Sequence, residues 1–199
     1  MKSKIAVLIL AAGASTRMGS PKQLLPWGNT TLLGNAIRQF KNLHVHCFVV
    51  LGANNKEISN SLSGLDVSVI INKNWEDGIG RSISYGLKEI LSKDSFSHIL
   101  IALGDQPLIG SQQIQVLIDQ SELYANKIIA NQYSSGFGVP AIFPNQYFEE
   151  LIKLTGDTGA KKLLMHFQNN VVGVDSDIEL IDVDTLEEYN SLIKKYFSK

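Results

Sequence analysis

The fold turns on Ile5-Ala6-Val7-Leu8-Ile9-Leu10, which runs straight into Ala11-Ala12-Gly13-Ala14-Ser15-Thr16-Arg17-Met18-Gly19-Ser20-Pro21-Lys22. A run with no polar residue cannot turn alternate side chains to water, so this strand is expected to be covered on both faces. Short β-branched or aliphatic runs recur at 47–51, 67–71, 99–103, 127–130 and 171–174. Between them, apolar residues fall at helical spacing: Leu32, Leu33, Ala36, Ile37 and Phe40; Ile83, Leu87, Ile90 and Leu91; Ile114, Leu117, Ile118 and Leu123. Strands alternating with helices predict an α/β fold, a doubly wound and mainly parallel sheet, with residues 1–199 as one domain.

Composition narrows the partners. The chain has 199 residues, 44% hydrophobic and 19% charged, with a net charge of −1, as in ordinary globular proteins. There is no run of Lys and Arg, so neither nucleic acid nor an anionic membrane is the expected partner. The single cysteine, Cys47, cannot close an internal disulfide and reads as inert packing in an apolar run. Lys2 and Lys4 before the apolar stretch imitate a secretory leader. The stretch is short for one and leads directly into Gly, Ser, Thr and Arg, so a buried first strand and a cytoplasmic location are expected. No apolar run approaches the roughly 20 residues of a membrane-spanning helix.

Sheets of this class bind ligands beyond the carboxyl ends of their strands. The small residues after 5–10 let backbone amides approach an anion, and Arg17 and Lys22 supply charge. The loop is neither a P-loop nor a dinucleotide fingerprint, and by itself it reads equally as a turn or a phosphate site. After 99–103 comes Gly104-Asp105-Gln106-Pro107, which holds a carboxylate at a strand end. Asp182 and Asp184 close a strand-like run, 178–183, just before a Thr185-x-x-Glu188 capping box. Asp157 reads as the N-cap of a helix carrying Leu163, Leu164 and Phe167. Two of the four histidines, His44 and His46, would share a strand face, yet no further ligand is near enough for zinc; all four read as structural or surface groups.

The string Leu-Ala-Ala-Gly-x-Ser-x-Arg-Met-Gly-x-Pro-Lys-x-Leu-Leu resembles the signature of nucleotidyltransferases, especially the molybdenum cofactor cytidylyltransferases and their guanylyltransferase relatives. Asn72-x-x-Trp75-x-x-Gly78-x-x-x-Ser82, Gly104-Asp105-Gln106-Pro107, Gly138-x-Pro140, Gly156-Asp157-x-Gly159-Ala160 and Asp182-x-Asp184-Thr185 are similar to later blocks in the same order. The resemblance implies a Rossmann-like sheet of the nucleotide-diphospho-sugar transferase type. It implies transfer of a nucleoside monophosphate onto the phosphate of molybdopterin, with pyrophosphate leaving. In such chemistry most of the catalysis is positioning and charge neutralisation.

Carried onto this chain, the resemblance makes Arg17, Lys22 and Asp105 catalytic. The nucleotide would be held by Leu10, Ala11, Ala12, Gly13, Arg17, Lys22, Gly78 and Ser82. Asp105 and Asp184 would ligate Mg²⁺ or Mn²⁺, with Asp182 competing for the second place. CTP is expected over GTP, because guanylyltransferases tend to have Gly where Ala12 narrows the space beside the base. The acceptor is expected to be a phosphorylated pterin, and a molybdenum hydroxylase a candidate recipient of the product. The competing functions are nucleotidyl transfer to a sugar or polyol phosphate, and a non-catalytic carrier of molybdenum cofactor.

Overall fold

In the computed structural model, residues 3–176 and 181–198 are described. Strand β1 (Ile5–Ala11) is buried along its whole length and pairs in parallel on both sides, with β4 (His46–Leu51) and β6 (His98–Leu103). β5 (Ser68–Ile71) extends the sheet beyond β4. On the other side lie β8 (Gly136–Pro144), β7 (Ile128–Tyr133) and β9 (Val171–Asp175), giving a seven-stranded order β5-β4-β1-β6-β8-β7-β9. Only β8 runs against its neighbours. This is the mostly parallel α/β sheet that the alternation of strands and helices predicts.

Alternation along β1 splits the core in two. Ala6, Leu8 and Leu10 join Ile83, Leu87 and Ile90 of α3 (Ile79–Lys93) on one face. Ile5, Val7 and Ile9 meet Leu33 and Ile37 of α1 (Leu32–Arg38), Ile58 of α2 (Asn55–Ser61), and Ile114 and Leu117 of α4 (Ser111–Leu123) on the other. The uninterrupted apolar run therefore serves two helical layers, which is why it contains no polar residue. β1 lies between strands wound in opposite directions, so the crevice beyond its carboxyl end is the place where such a sheet takes a ligand.

A smaller cluster settles where the chain ends of the site meet. Met18, Trp27 of the hairpin β2 (Pro26–Trp27) and β3 (Thr30–Thr31), Leu32, Val183 and Leu192 of α7 (Leu186–Phe197) are buried together. The Tyr189 hydroxyl donates to the Pro26 carbonyl at 2.7 Å. These contacts bring the loop after β1 against residues 181–185. The capping box forms as expected: the Glu188 amide donates to the Thr185 hydroxyl, and the Glu188 carboxylate accepts from the Thr185 amide.

Three expectations are corrected. The strand-like run 178–183 is not a strand where it is described: 181–183 lie in a loop held by the Val183 amide on the Asp105 carbonyl, and 178–180, like Lys2, lie outside the described residues. Asp157 does not cap α6 (Ala160–His166), which begins after Gly159 with no side-chain cap, because the chain needs a further turn before it becomes helical. His44 lies outside β4 at φ +52°, so it and His46 do not share a strand face.

Candidate active site

Beyond the carboxyl ends of β1 and β6 the sheet opens into a cavity of about 380 Å³. Leu10, Ala11, Ala12 and Gly13 form one wall, Gly78 and Ser82 from the start of α3 another, and Lys22 and Asp105 stand at its polar end. The expected nucleotide residues are thus brought together, except that Arg17 lies on the rim and not in the lining. Gly78 has φ +92°, and a Cβ there would stand 2.4 Å from the Gly156 backbone, so the close approach of this wall to the 156–158 turn requires glycine. Ser82 is buried and accepts from the Asn72 side chain at 3.1 Å, which makes Asn72 a support of that wall. Trp75 packs against the core and also lines the cavity.

The charges form one network. The Lys22 ammonium is 2.6 Å from Asp105 Oδ2 and 2.8 Å from Asp184 Oδ1, and Arg17 Nη2 is 3.3 Å from Asp184 Oδ2. Lys22 is well buried, whereas Arg17 reaches out from a 3-10 turn (Thr16–Met18) into solvent. Burial works against the Lys22 ammonium, yet the two carboxylates outweigh it and hold its pKa above the ordinary value. Burial pushes the Asp105 carboxyl upward against the pull of Lys22. Asp184 is held below the usual carboxylate range by the hydrogen bond from Lys22, with Arg17 adding to it.

The donor set suits a divalent cation. Asp105 Oδ1 is buried and has no hydrogen-bond partner, an arrangement that is costly for a carboxylate unless something positive meets it. Among the described residues no group of three or more His, Cys, Asp or Glu side chains could enclose a metal. Two carboxylates still suffice for a hard ion that takes its remaining oxygens from phosphate and water. The two competing acids are placed differently: Asp184 shares Lys22 with Asp105, while Asp182 accepts from Gln106 Nε2 at 2.9 Å and lines a second cavity of about 200 Å³. That cavity, with Tyr133, Phe137 and Val139, shares Leu10, Ile79 and Leu103 with the first as common walls.

Sequence reasoning missed Gln23, Glu76 and Ile79 in the lining, and it assigned Asp157 to a helix cap although its side chain faces the cavity beside Gly78. The polar Gln23 among leucines, buried to 3% exposure, was the available signal. His98 is buried, with its ring nitrogens at Ser97 and the Ala125 carbonyl.

A MobA-like NTP transferase domain matches residues 7–171. Nicotine blue oxidoreductase from Paenarthrobacter nicotinovorans is 29% identical over 198 residues, 94% of this chain and 95% of that protein. Molybdenum cofactor cytidylyltransferase of Escherichia coli K12 is 21% identical over 195 residues, 98% of each. Bifunctional protein GlmU of Kineococcus radiotolerans is 36% identical over 116 residues, which are 56% of this chain but only 23% of that longer protein. The crystal structure of Rv0371c from Mycobacterium tuberculosis H37Rv in complex with manganese superposes with a TM-score of 0.71 at 30% identity, covering 96% of this chain and 99% of that one. The model match spans most of the chain, and the chain therefore belongs to the MobA-like NTP transferase family.

Proposed function

We propose that this nucleotidyltransferase moves CMP from CTP onto the phosphate of molybdopterin, releasing pyrophosphate. The observation that carries the reading is Lys22 bridging Asp105 and Asp184 at the polar end of a cavity walled by 10–13, beside a second cavity that shares walls with it. The triphosphate would lie along 10–13, with Lys22 and Arg17 drawn from the carboxylates onto its phosphates. A phosphate oxygen of the acceptor then attacks the α-phosphorus; a new P–O bond forms as the bond to the bridging oxygen breaks, and pyrophosphate carries away the electron pair. Asp105 and Asp184 are the residues to hold Mg²⁺ or Mn²⁺, which would neutralise charge on the phosphates. The rest of the catalysis is alignment of the acceptor phosphate with the α-phosphorus.

The preference for CTP rests on Ala12, whose methyl narrows the first cavity, and agrees with the cytidylyltransferase relative. The pterin acceptor rests on the resemblance of 104–107, with a molybdenum hydroxylase as candidate recipient of the product, and a cytoplasmic location fits that role. An acceptor screen tests it: purified protein is given CTP or GTP with a phosphorylated pterin or with sugar and polyol phosphates, and products are read by mass. A pterin–cytosine dinucleotide supports the reading; a nucleotide sugar as the only product replaces it, and no product with any acceptor leaves the carrier function.

A further inference from the structure

Gln23 does no chemistry, yet its side chain is the best-anchored amide in the site. Its Nε2 donates to the Ala11 carbonyl at 3.0 Å and to the Gly13 carbonyl at 3.0 Å. Its Oε1 accepts from the Ser15 hydroxyl at 3.4 Å, and Ser15 Oγ in turn accepts from the Lys22 amide at 3.1 Å. Ser15 holds the left-handed conformation, φ +55° and ψ +37°, that lets the loop double back to make these bonds. Meanwhile the Ala12 carbonyl accepts from the Ala53 amide at 3.1 Å.

In a planar trans peptide the carbonyl and the following amide point in opposite directions. Turning the carbonyls of Ala11 and Gly13 onto Gln23 therefore turns the amides of Ala12 and Ala14 the other way. A glutamine is suited to this task because its NH₂ carries two donors, one for each carbonyl, while its single oxygen is left for Ser15. The same side chain is followed back along the chain by Lys22, so one buried group sets the amide direction of the loop and fixes the base from which the lysine reaches Asp105.

We infer that Gln23 is a positioning residue for nucleotide binding: it clamps the loop after β1 with its amides turned outward as a preformed anion cradle. This rests on the reading of 10–13 as the triphosphate wall. Removing the clamp frees the two peptides to rotate, and the cradle must then be ordered by the ligand at a cost in affinity. The effect should fall on the nucleotide and spare the acceptor.

The test is calorimetric binding of a non-hydrolysable α,β-methylene analogue of CTP to the wild type, Gln23→Leu and Gln23→Glu, with melting curves and, in parallel, KM for nucleotide and acceptor. Both variants are expected to weaken analogue binding about tenfold, a loss of the size of one hydrogen bond, and to raise KM for CTP while KM for the acceptor stays within twofold. A structural role alone would lower the melting temperature and the active fraction and leave both KM values unchanged, which would overturn the inference. Should Gln23→Leu fail to fold, Gln23→Glu, equal in length, carries the comparison. In the wild type, the Ala12 and Ala14 amide resonances should shift on adding the analogue; no shift while it binds would also overturn it. No binding of any triphosphate by the wild type would remove the nucleotide reading itself, whereas binding equal in all three proteins would remove only the role of Gln23.

Discussion

The two ends of β1 and β6 treat buried polar groups in opposite ways. At the amino ends, the described polar groups find partners: the His98 ring meets Ser97 and the Ala125 carbonyl, Ser97 Oγ meets the Lys4 carbonyl, and Lys4 pairs with Asp94 in solvent. At the carboxyl ends of the same strands, Asp105 Oδ1 and Gln106 Oε1 are buried with no hydrogen-bond partner, and two carboxylates crowd around Lys22. Both ends are built from equally apolar strands, so packing does not account for the difference. Unsatisfied charge in one place and partnered groups in the other mark where the molecule is shaped for something besides its own stability.

Breaking the carboxyl end should cost activity, and the largest loss should come from Asp105. Asp105→Asn keeps the side-chain shape but halves the anionic ligand set, and kcat should fall by about 10³ or more, with the melting temperature nearly kept. Lys22→Ala should lower kcat by about 10²–10³. It should also destabilise the fold, because it leaves a buried carboxylate facing another without the ammonium between them. Arg17→Ala should fall at the low end, near 10², with no stability loss, since its contact to Asp184 is exposed. Steady-state kinetics and melting curves on the three variants read this order; equal kinetics for all three and the wild type would erase the contrast between the two ends.

Changes at the amino end should do the reverse. His98→Ala leaves the Ala125 carbonyl unpaired and should cost about 1–3 kcal/mol by urea unfolding, with kcat unchanged. Burial holds His98 below its ordinary pKa, against the opposing bond to Ala125. The folded state therefore binds its proton less readily than the unfolded state does. Stability from this group is present above the unfolded value of about 6.5 and is lost as pH falls through the lower folded value. Urea midpoints from pH 7.5 downward should drop more steeply for the wild type than for His98→Ala. The smallest effect concerns Cys47, whose thiol is pushed up to about 12 by burial and, second, by Asp66. Native protein at pH 8 should resist a thiol reagent that labels it promptly in urea.

The strands that were legible, β1, β4, β5, β6, β7 and β9, are those that carry a short aliphatic or β-branched run in the sequence. β8 was hidden because Gly136, Gly138 and Pro140 interrupt its run with residues that ordinarily mark turns. α2 was hidden because Ile58 is its only buried residue. In the site, Arg17, Lys22, Asp105 and Asp184 could be nominated from charge placed at strand ends and from motif order. Gln23 and Asp157 could not, because their roles come from a loop folding back and from a turn meeting Gly78, neither of which has a local pattern.

The site assigned at the carboxyl ends of β1 and β6 requires acceptor-dependent release of pyrophosphate. With CTP, Mg²⁺ and a phosphorylated pterin, the wild-type protein should release pyrophosphate in step with dinucleotide formed, and EDTA should stop it. Turnover that continues undiminished in EDTA and in Asp105→Asn would contradict the site assigned at the carboxyl ends of β1 and β6.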